Sequence, residues 1–241
     1  MAMFTAVFDA GGHESDQPCL SVGGFISTAD RWMEFSEQWQ KLLHLAGLPY
    51  YHHSEHRYRE DLLPQLLETI REFAFAKFGA CIAFRTFGTF AALPEASQRL
   101  NAYAMCAQLC VGMTYHWALE NQIPKEKVRF IFEDGDVGKG LFIKIMEDSG
   151  YPTPSFAYKK DTRIKGTPHA GFIPLQAADI LANELFRQAQ IPGIDSGSIR
   201  VPYRELHAMP GPLSVITQEK VDEYLAYLRA TPELRNALWV Y

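Results

Sequence analysis

The chain has no C-x-x-C pair, no apolar stretch near the roughly 18 residues of a membrane span, and no excess of basic charge. Each absence removes a class of protein. Cys19, Cys81, Cys106 and Cys110 are scattered, which excludes a zinc-ribbon or thioredoxin-like motif, and Cys106 and Cys110, one helical turn apart, read as reduced core thiols. A net charge of -5 argues against a surface built for strong nonspecific phosphate binding, while leaving room for a local basic groove. The first residues carry no basic segment and Asp9 interrupts their apolar run, so no signal peptide and a cytoplasmic location are expected, with no membrane partner. There is no repeat, low-complexity tract or linker, and 47% apolar residues suffice for a sizeable core. The expectation is one domain over residues 1–241, with a core of about 3–190 and a C-terminal extension over 191–241.

What the chain does have is acids in unusual places. Asp9 closes the apolar run Met3–Phe8, and Glu55 follows a histidine pair. Glu133 and Asp134 end the run Val128–Phe132, and Asp179 lies among alanines in Leu175–Ala182. A carboxylate at a buried strand end or on an apolar helix costs desolvation energy unless a cation compensates it. A divalent metal would do so at all four positions.

Periodicity supplies the frame. Residues 3–9 and 19–27 read as strands, and the intervening Gly11-Gly12-His13-Glu14-Ser15-Asp16 has turn chemistry, so a hairpin is expected. Thr28 or Asp30 can cap a helix whose Trp32, Phe35, Trp39, Leu42 and Leu43 form one apolar face, ended by Gly47 and Pro49. Further helices are expected at about 60–77, 95–121, 139–148, 175–190 and 218–229, with strands at 78–87, 128–133 and 155–160. A hairpin followed by alternating helices and strands predicts a mixed α/β sheet with helices packed on it. Trp32, Trp39, Tyr103 and Trp117 are expected in the core.

In such sheets sites collect at strand ends and adjoining helix termini, where Asp9, Glu133 and Asp179 fall. Pro174 opens the Asp179 helix, and its alanines would let it approach the sheet closely. Mg²⁺ prefers hard oxygen ligands, and two such ions about 4 Å apart can activate a water and stabilise a leaving oxygen in phosphodiester cleavage.

Several segments together resemble the family known as domain of unknown function 3800, in the ribonuclease H-like superfamily. They are Phe8-Asp9-Ala10-Gly11-Gly12, Val22-Gly23-Gly24-Phe25, His52-His53-Ser54-Glu55, Phe132-Glu133-Asp134-Gly135-Asp136 and the Q-x-A-D helix Leu175–Ala182. The likeness spans about residues 3–190. Ala10-Gly11 stands where the family more usually has Glu-Ser, so no role is carried over to those two positions. The resemblance implies a ribonuclease H-like mixed sheet opening with a β-hairpin, flanked by helices, with helical insertions and a C-terminal helical extension. It also implies Asp9, Glu55, Glu133 and Asp179 as a metal-binding quartet for Mg²⁺ or Mn²⁺, with Asp134 a further candidate ligand.

Other side chains have assignable roles in that frame. His52 or His53 could shuttle protons beside the metal pair, and His13 and His169 lie in loops next to candidate acids. His52 and His56 have H-x3-H spacing, but no third ligand is evident, so zinc is not expected. Gly135–Gly140 lacks the spacing of a phosphate loop, Gly140 standing where the hydroxyl belongs. The most basic stretch supplies Lys159, Lys160, Arg163 and Lys165 as candidate contacts to a phosphate backbone. The expected function is a two-metal phosphodiesterase, or nuclease, acting on nucleic acid. Two alternatives remain open: a noncatalytic binding or regulatory module of the same fold, associated with defence or mobile elements, and a hydrolase of a small nucleotide.

Overall fold

Residues 2–12, 19–59, 61–83, 88–164, 167–190, 199–232 and 234 are described by the structure, a computed structural model. β1 (Phe4–Gly11) and β2 (Leu20–Thr28) pair antiparallel, with Phe4 opposite Thr28 and Gly11 opposite Ser21. The expected hairpin is therefore present, although its turn, with His13, lies outside the described residues. β3 (Ala76–Ile82) continues the antiparallel run beside β2. On the other flank β4 (Val128–Glu133) lies parallel to β1, and β5 (Ser155–Ala157) parallel to β4. β6 (Thr162–Ile164) and β7 (Thr167–His169) form a separate small hairpin, and β8 (Leu213–Val215) lies parallel to β3. Among the described residues the main sheet has the order β5-β4-β1-β2-β3-β8. The chain is thus α/β, with a mixed sheet flanked by helices.

α1 (Ala29–Leu45) starts at Thr28, whose hydroxyl accepts the Arg31 N–H, and it buries Trp32, Phe35, Trp39 and Leu43 at the expected spacing. α2 (His53–His56) is a single turn, followed by α3 (Leu63–Phe73), a short α4 (Gly88–Ala91) and the long α5 (Glu95–Glu120). α6 (Lys139–Asp148), α7 (Pro174–Ala189), α8 (Val201–His207) and α9 (Gln218–Ala230) complete the helices. α1, α3 and α7 share one apolar cluster with Val7 and Phe25. α5, α6 and α9 share the other with Ala6, Phe8 and Ala10. Among the described residues no helix is long and apolar enough to cross a membrane.

Four expectations need correction. The helix foreseen over 60–77 ends at Phe73, because the Phe75 N–H already donates to Ile26 O at 2.9 Å and the chain has joined the sheet. The following strand is accordingly earlier, at Ala76–Ile82, and residues 84–87 lie outside the described set. The strand foreseen over 155–160 leaves the ladder after Ala157, which frees Lys159 to turn inward. Residues 191–241, read as an extension, contribute β8 to the main sheet. From α9 they also place Val221, Tyr224, Leu225 and Leu228 in the core.

α7 crosses the sheet at unusually short range. A Cβ on Gly11 would come within 2.9 Å of Ala182 O, and one on Gly23 within 3.0 Å of Ala182 N. The two glycines and the small face Ala177, Ala178 and Ala182 therefore work as a pair, and the close crossing brings Asp179 down to the strand ends.

Candidate functional site

Strand parity decides which acids meet. Asp9 shares a face of β1 with Val7, on the α7 side of the sheet. Val7 is opposite Ile131 and Phe8 opposite Phe132, so Glu133 follows beside Asp9 on the same face. Glu133 in turn is opposite Ala157, and two residues later Lys159 points the same way. The ends of three neighbouring parallel strands and one helix thus converge. Lys159 Nζ lies 2.8 Å from Asp9 Oδ2, 2.8 Å from Glu133 Oε2 and 3.1 Å from Asp179 Oδ1. An ammonium has three N–H donors, and here each has a carboxylate acceptor. The Asp9 and Asp179 side chains are 1% exposed and that of Lys159 10%.

One ammonium cannot neutralise three buried carboxylates, and the titration of the group reflects that. Burial and the charge of Asp9, to which it is hydrogen-bonded, push Glu133 up to about 10, outweighing Lys159. Burial also works against Asp9, yet Lys159, the Glu133 hydrogen bond and the Ala10 N–H hold it below the usual range. Asp179 is raised by burial, with Lys159 opposing and Asp9 adding repulsion. At neutral pH the cluster therefore keeps a proton on Glu133, shared with Asp9. Nearby Asp136 is pushed up to about 7 by burial and by the charge of Asp9.

A second layer of residues holds this arrangement. Gln176 Oε1 accepts from Trp39 Nε1–H (2.9 Å) and Tyr51 N–H (2.8 Å), while its Nε2 donates to Lys159 O at 2.8 Å. The glutamine of the Q-x-A-D segment thereby ties α1, the loop before α2 and the lysine backbone to α7. The His53 N–H donates to Asp179 Oδ2 at 2.5 Å, and Asn183 Nδ2 donates to Asp179 Oδ1 at 2.9 Å. His53 itself is buried, with Nε2 2.8 Å from Glu184 Oε1 and Nδ1 3.0 Å from the Tyr51 hydroxyl. Arg200 closes on Glu184 with Nε at 2.8 Å and Nη2 at 3.1 Å. At the rim, His52 Nε2 is 3.8 Å from Asp179 Oδ1 and its Nδ1 2.9 Å from Glu55 Oε1.

Of the residues singled out from sequence, the structure brings together Asp9, Glu133 and Asp179, with His52 at their edge. Glu55 does not join them: it is 47% exposed and bonded to His52 and Tyr50, because α2 points it outward. Asp134 also turns away, pairing with Lys139 at 2.6 Å and accepting from the Tyr158 hydroxyl at 3.0 Å. Lys159, read as a backbone-phosphate contact, is instead the cation at the centre of the acids. Lys160 lies over the Tyr50 ring at 4.3 Å, Arg163 is exposed on β6, and Lys165 lies outside the described residues. His169 stands against Tyr158, ring centroids 5.8 Å apart, rather than in the cluster. The parts missed from sequence are the central role of Lys159, together with Asp136, Asn183, Glu184 and Arg200; His53, read as a proton shuttle, is instead buried against Glu184. A Lys two residues past a strand end was the one available signal.

Among the described residues no three His, Cys, Asp or Glu side chains stand ready to hold one ion. In the acid cluster the Lys159 ammonium occupies the point on which the three carboxylates converge. The donor set nonetheless suits a hard cation: three carboxylate oxygens already surround one point at 2.8 to 3.1 Å. Mg²⁺ takes oxygens at about 2.0–2.1 Å, so binding requires Lys159 to withdraw and the acids to close in by about 1 Å. Set against known protein families, curated proteins and solved structures, the chain matches none.

Proposed function

We propose that this chain is a divalent-metal-dependent phosphodiesterase of ribonuclease H-like type that acts on nucleic acid. The observation that carries the reading is the convergence of Asp9, Glu133 and Asp179, from two parallel strand ends and a crossing helix, on one cation position. The mixed sheet opening with a hairpin and the Q-x-A-D helix over the strand ends also support the family resemblance. Asp9, Glu133 and Asp179 would hold Mg²⁺ or Mn²⁺, which when bound activates a water and stabilises the leaving oxygen. Asp136, which senses the charges of Asp9 and Lys159, is a further acid for a second ion.

The chain's own residues have distinct parts in this account. With a metal held by the acids, Glu133 would lose to solvent the proton it shares with Asp9. Lys159, displaced from the cation position, would be free to pair with a substrate phosphate. His52, its Nδ1 held by Glu55, presents Nε2 toward the cluster as the proton-transfer group. Glu55 is then a positioning residue and not a ligand. His52→Ala is expected to slow metal-dependent cleavage of labelled oligonucleotides by roughly 10² while leaving Mn²⁺ affinity unchanged. Equal loss of Mn²⁺ binding would make His52 a ligand instead.

A second reading, a noncatalytic module, is favoured by one observation: Lys159 already occupies the cation position. Under that reading the lysine is a permanent substitute for the metal. Mn²⁺ would not bind, and no nucleic-acid substrate would be cleaved.

A further inference from the structure

Beyond the acids, α7 carries a second feature along the same side. Asn183 and Arg187 follow Asp179 at spacings of four and eight, drifting only about 40° per step, and both are partly exposed. Beside Arg187 stands the end of α2. There the Arg57 guanidinium lies over the Tyr58 ring at 4.5 Å and donates to the Tyr58 hydroxyl and to Ser54 O, both at 2.5 Å. Arg200 reaches in from the other flank with its fork on Glu184. Burial, then the charges of Arg57 and Arg200, bring Arg187 below the usual guanidinium range, so Arg187 senses both of the other cations.

Glu184, the carboxylate that acts on Arg187 and Arg200, is already engaged by His53 and Arg200. Among the described residues neither Arg57 nor Arg187 closes an ion pair, and Arg57 Nε is buried without an acceptor. Gathering three guanidiniums around one spent carboxylate is unfavourable unless an oxyanion joins them. Phosphate oxygens suit their paired N–H donors best. The rest of the chain is acidic, which makes this local excess of positive charge more notable.

We propose that Arg57, Arg187 and Arg200 form a subsite for the backbone phosphates of a single nucleic-acid strand whose reacting bond lies at the acid cluster. The assignment rests on the phosphodiesterase reading. Eight residues of helix separate Asp179 from Arg187 by about 12 Å, which is more than one phosphate-to-phosphate step of a single strand. A mononucleotide cannot span that distance, whereas a strand can. Tyr58, 74% exposed and backed by Arg57, offers a ring face on which a base can stack. Without a metal the basic stretch after β5 is less suited, because Lys159 is then engaged by the acids and Lys160 by Tyr50.

The test is anisotropy of labelled single strands of about 12 nucleotides, DNA and RNA, without divalent ions, on the wild type and on Arg57→Gln/Arg187→Gln. Arg200 is left intact because it holds Glu184. The double variant is expected to bind at least about 10-fold more weakly near 50 mM salt. Its slope of log affinity against log salt should fall by about 0.7 for each arginine removed. Mn²⁺ binding at the acids should not change. Unaltered affinity and slope would overturn the subsite while leaving Asp9-dependent cleavage, and hence the phosphodiesterase reading, intact. A mononucleotide or inorganic phosphate binding as tightly as the strand would also overturn it. Wild type that binds Mn²⁺ but neither strand would overturn subsite and substrate class together.

Discussion

In EDTA at about pH 8, Lys159→Met is expected to melt roughly 6 to 20 °C below the wild type, and Mn²⁺ to recover most of the difference. The substitution keeps the length of the side chain and removes the one charge facing Asp9, Glu133 and Asp179. Removing one partner from a buried ion pair costs about 3–5 kcal/mol, and 1 kcal/mol moves the midpoint of a domain this size by about 2–4 °C. The deficit should grow with pH. Without Lys159, burial and mutual repulsion hold the acids' folded pKa values above their unfolded ones, so the folded state binds more protons and stability falls as pH rises. A divalent cation supplies the missing charge from outside the chain, and the variant should bind it more tightly than the wild type, which must first displace its own ammonium. Thermal scans over several pH values, with EDTA or Mn²⁺, read all three effects. An unchanged midpoint in EDTA would mean that Lys159 does not hold the cluster.

Glu184→Gln should produce the second largest loss. Glu184 is fully buried between His53 and Arg200. Burial raises its carboxyl, but hydrogen bonds from His53 and Arg200 and their charges outweigh it and bring it down to about 2. A folded pKa below the unfolded one contributes stability that is complete above about pH 4.5 and is lost as pH falls toward 2. The shift corresponds to on the order of 3 kcal/mol. The variant should therefore melt about 6–12 °C lower at neutral pH, with a flatter acid limb between about pH 4.5 and 2. Because His53 also holds Asp179 through its N–H, Mn²⁺ affinity should fall as well. Parallel acid titrations of variant and wild type by circular dichroism check this, and superimposable curves would remove Glu184 from the account.

The contrast between what was legible and what was not has physical causes. Asp9, Glu133 and Asp179 could be found because each interrupts an apolar pattern, and such an interruption is costly enough to need a reason. In the fold Glu133 shares the face of Ile131, since a period of two is rigid within a strand. Glu55 could not be placed in the same way. It lies on one turn of helix after a loop, where no periodicity constrains its direction. Lys159 stands in a mixed basic stretch that reads as a surface contact for phosphate. Only the early end of β5 at Ala157 turns it inward. β8 is three residues long, held by pairing with β3 and not by any pattern of its own.

The most direct measurement is Mn²⁺ binding by calorimetry at neutral pH, on the wild type, Asp9→Asn and Asp179→Asn. The account predicts saturable wild-type binding that both substitutions weaken by at least about 10-fold, with proton release as Glu133 ionises. No binding by the wild type, nor by Lys159→Met measured alongside it, would contradict the metal centre and leave the lysine as the site's only cation. Wild-type affinity retained in both variants would contradict it equally, by putting the ion elsewhere.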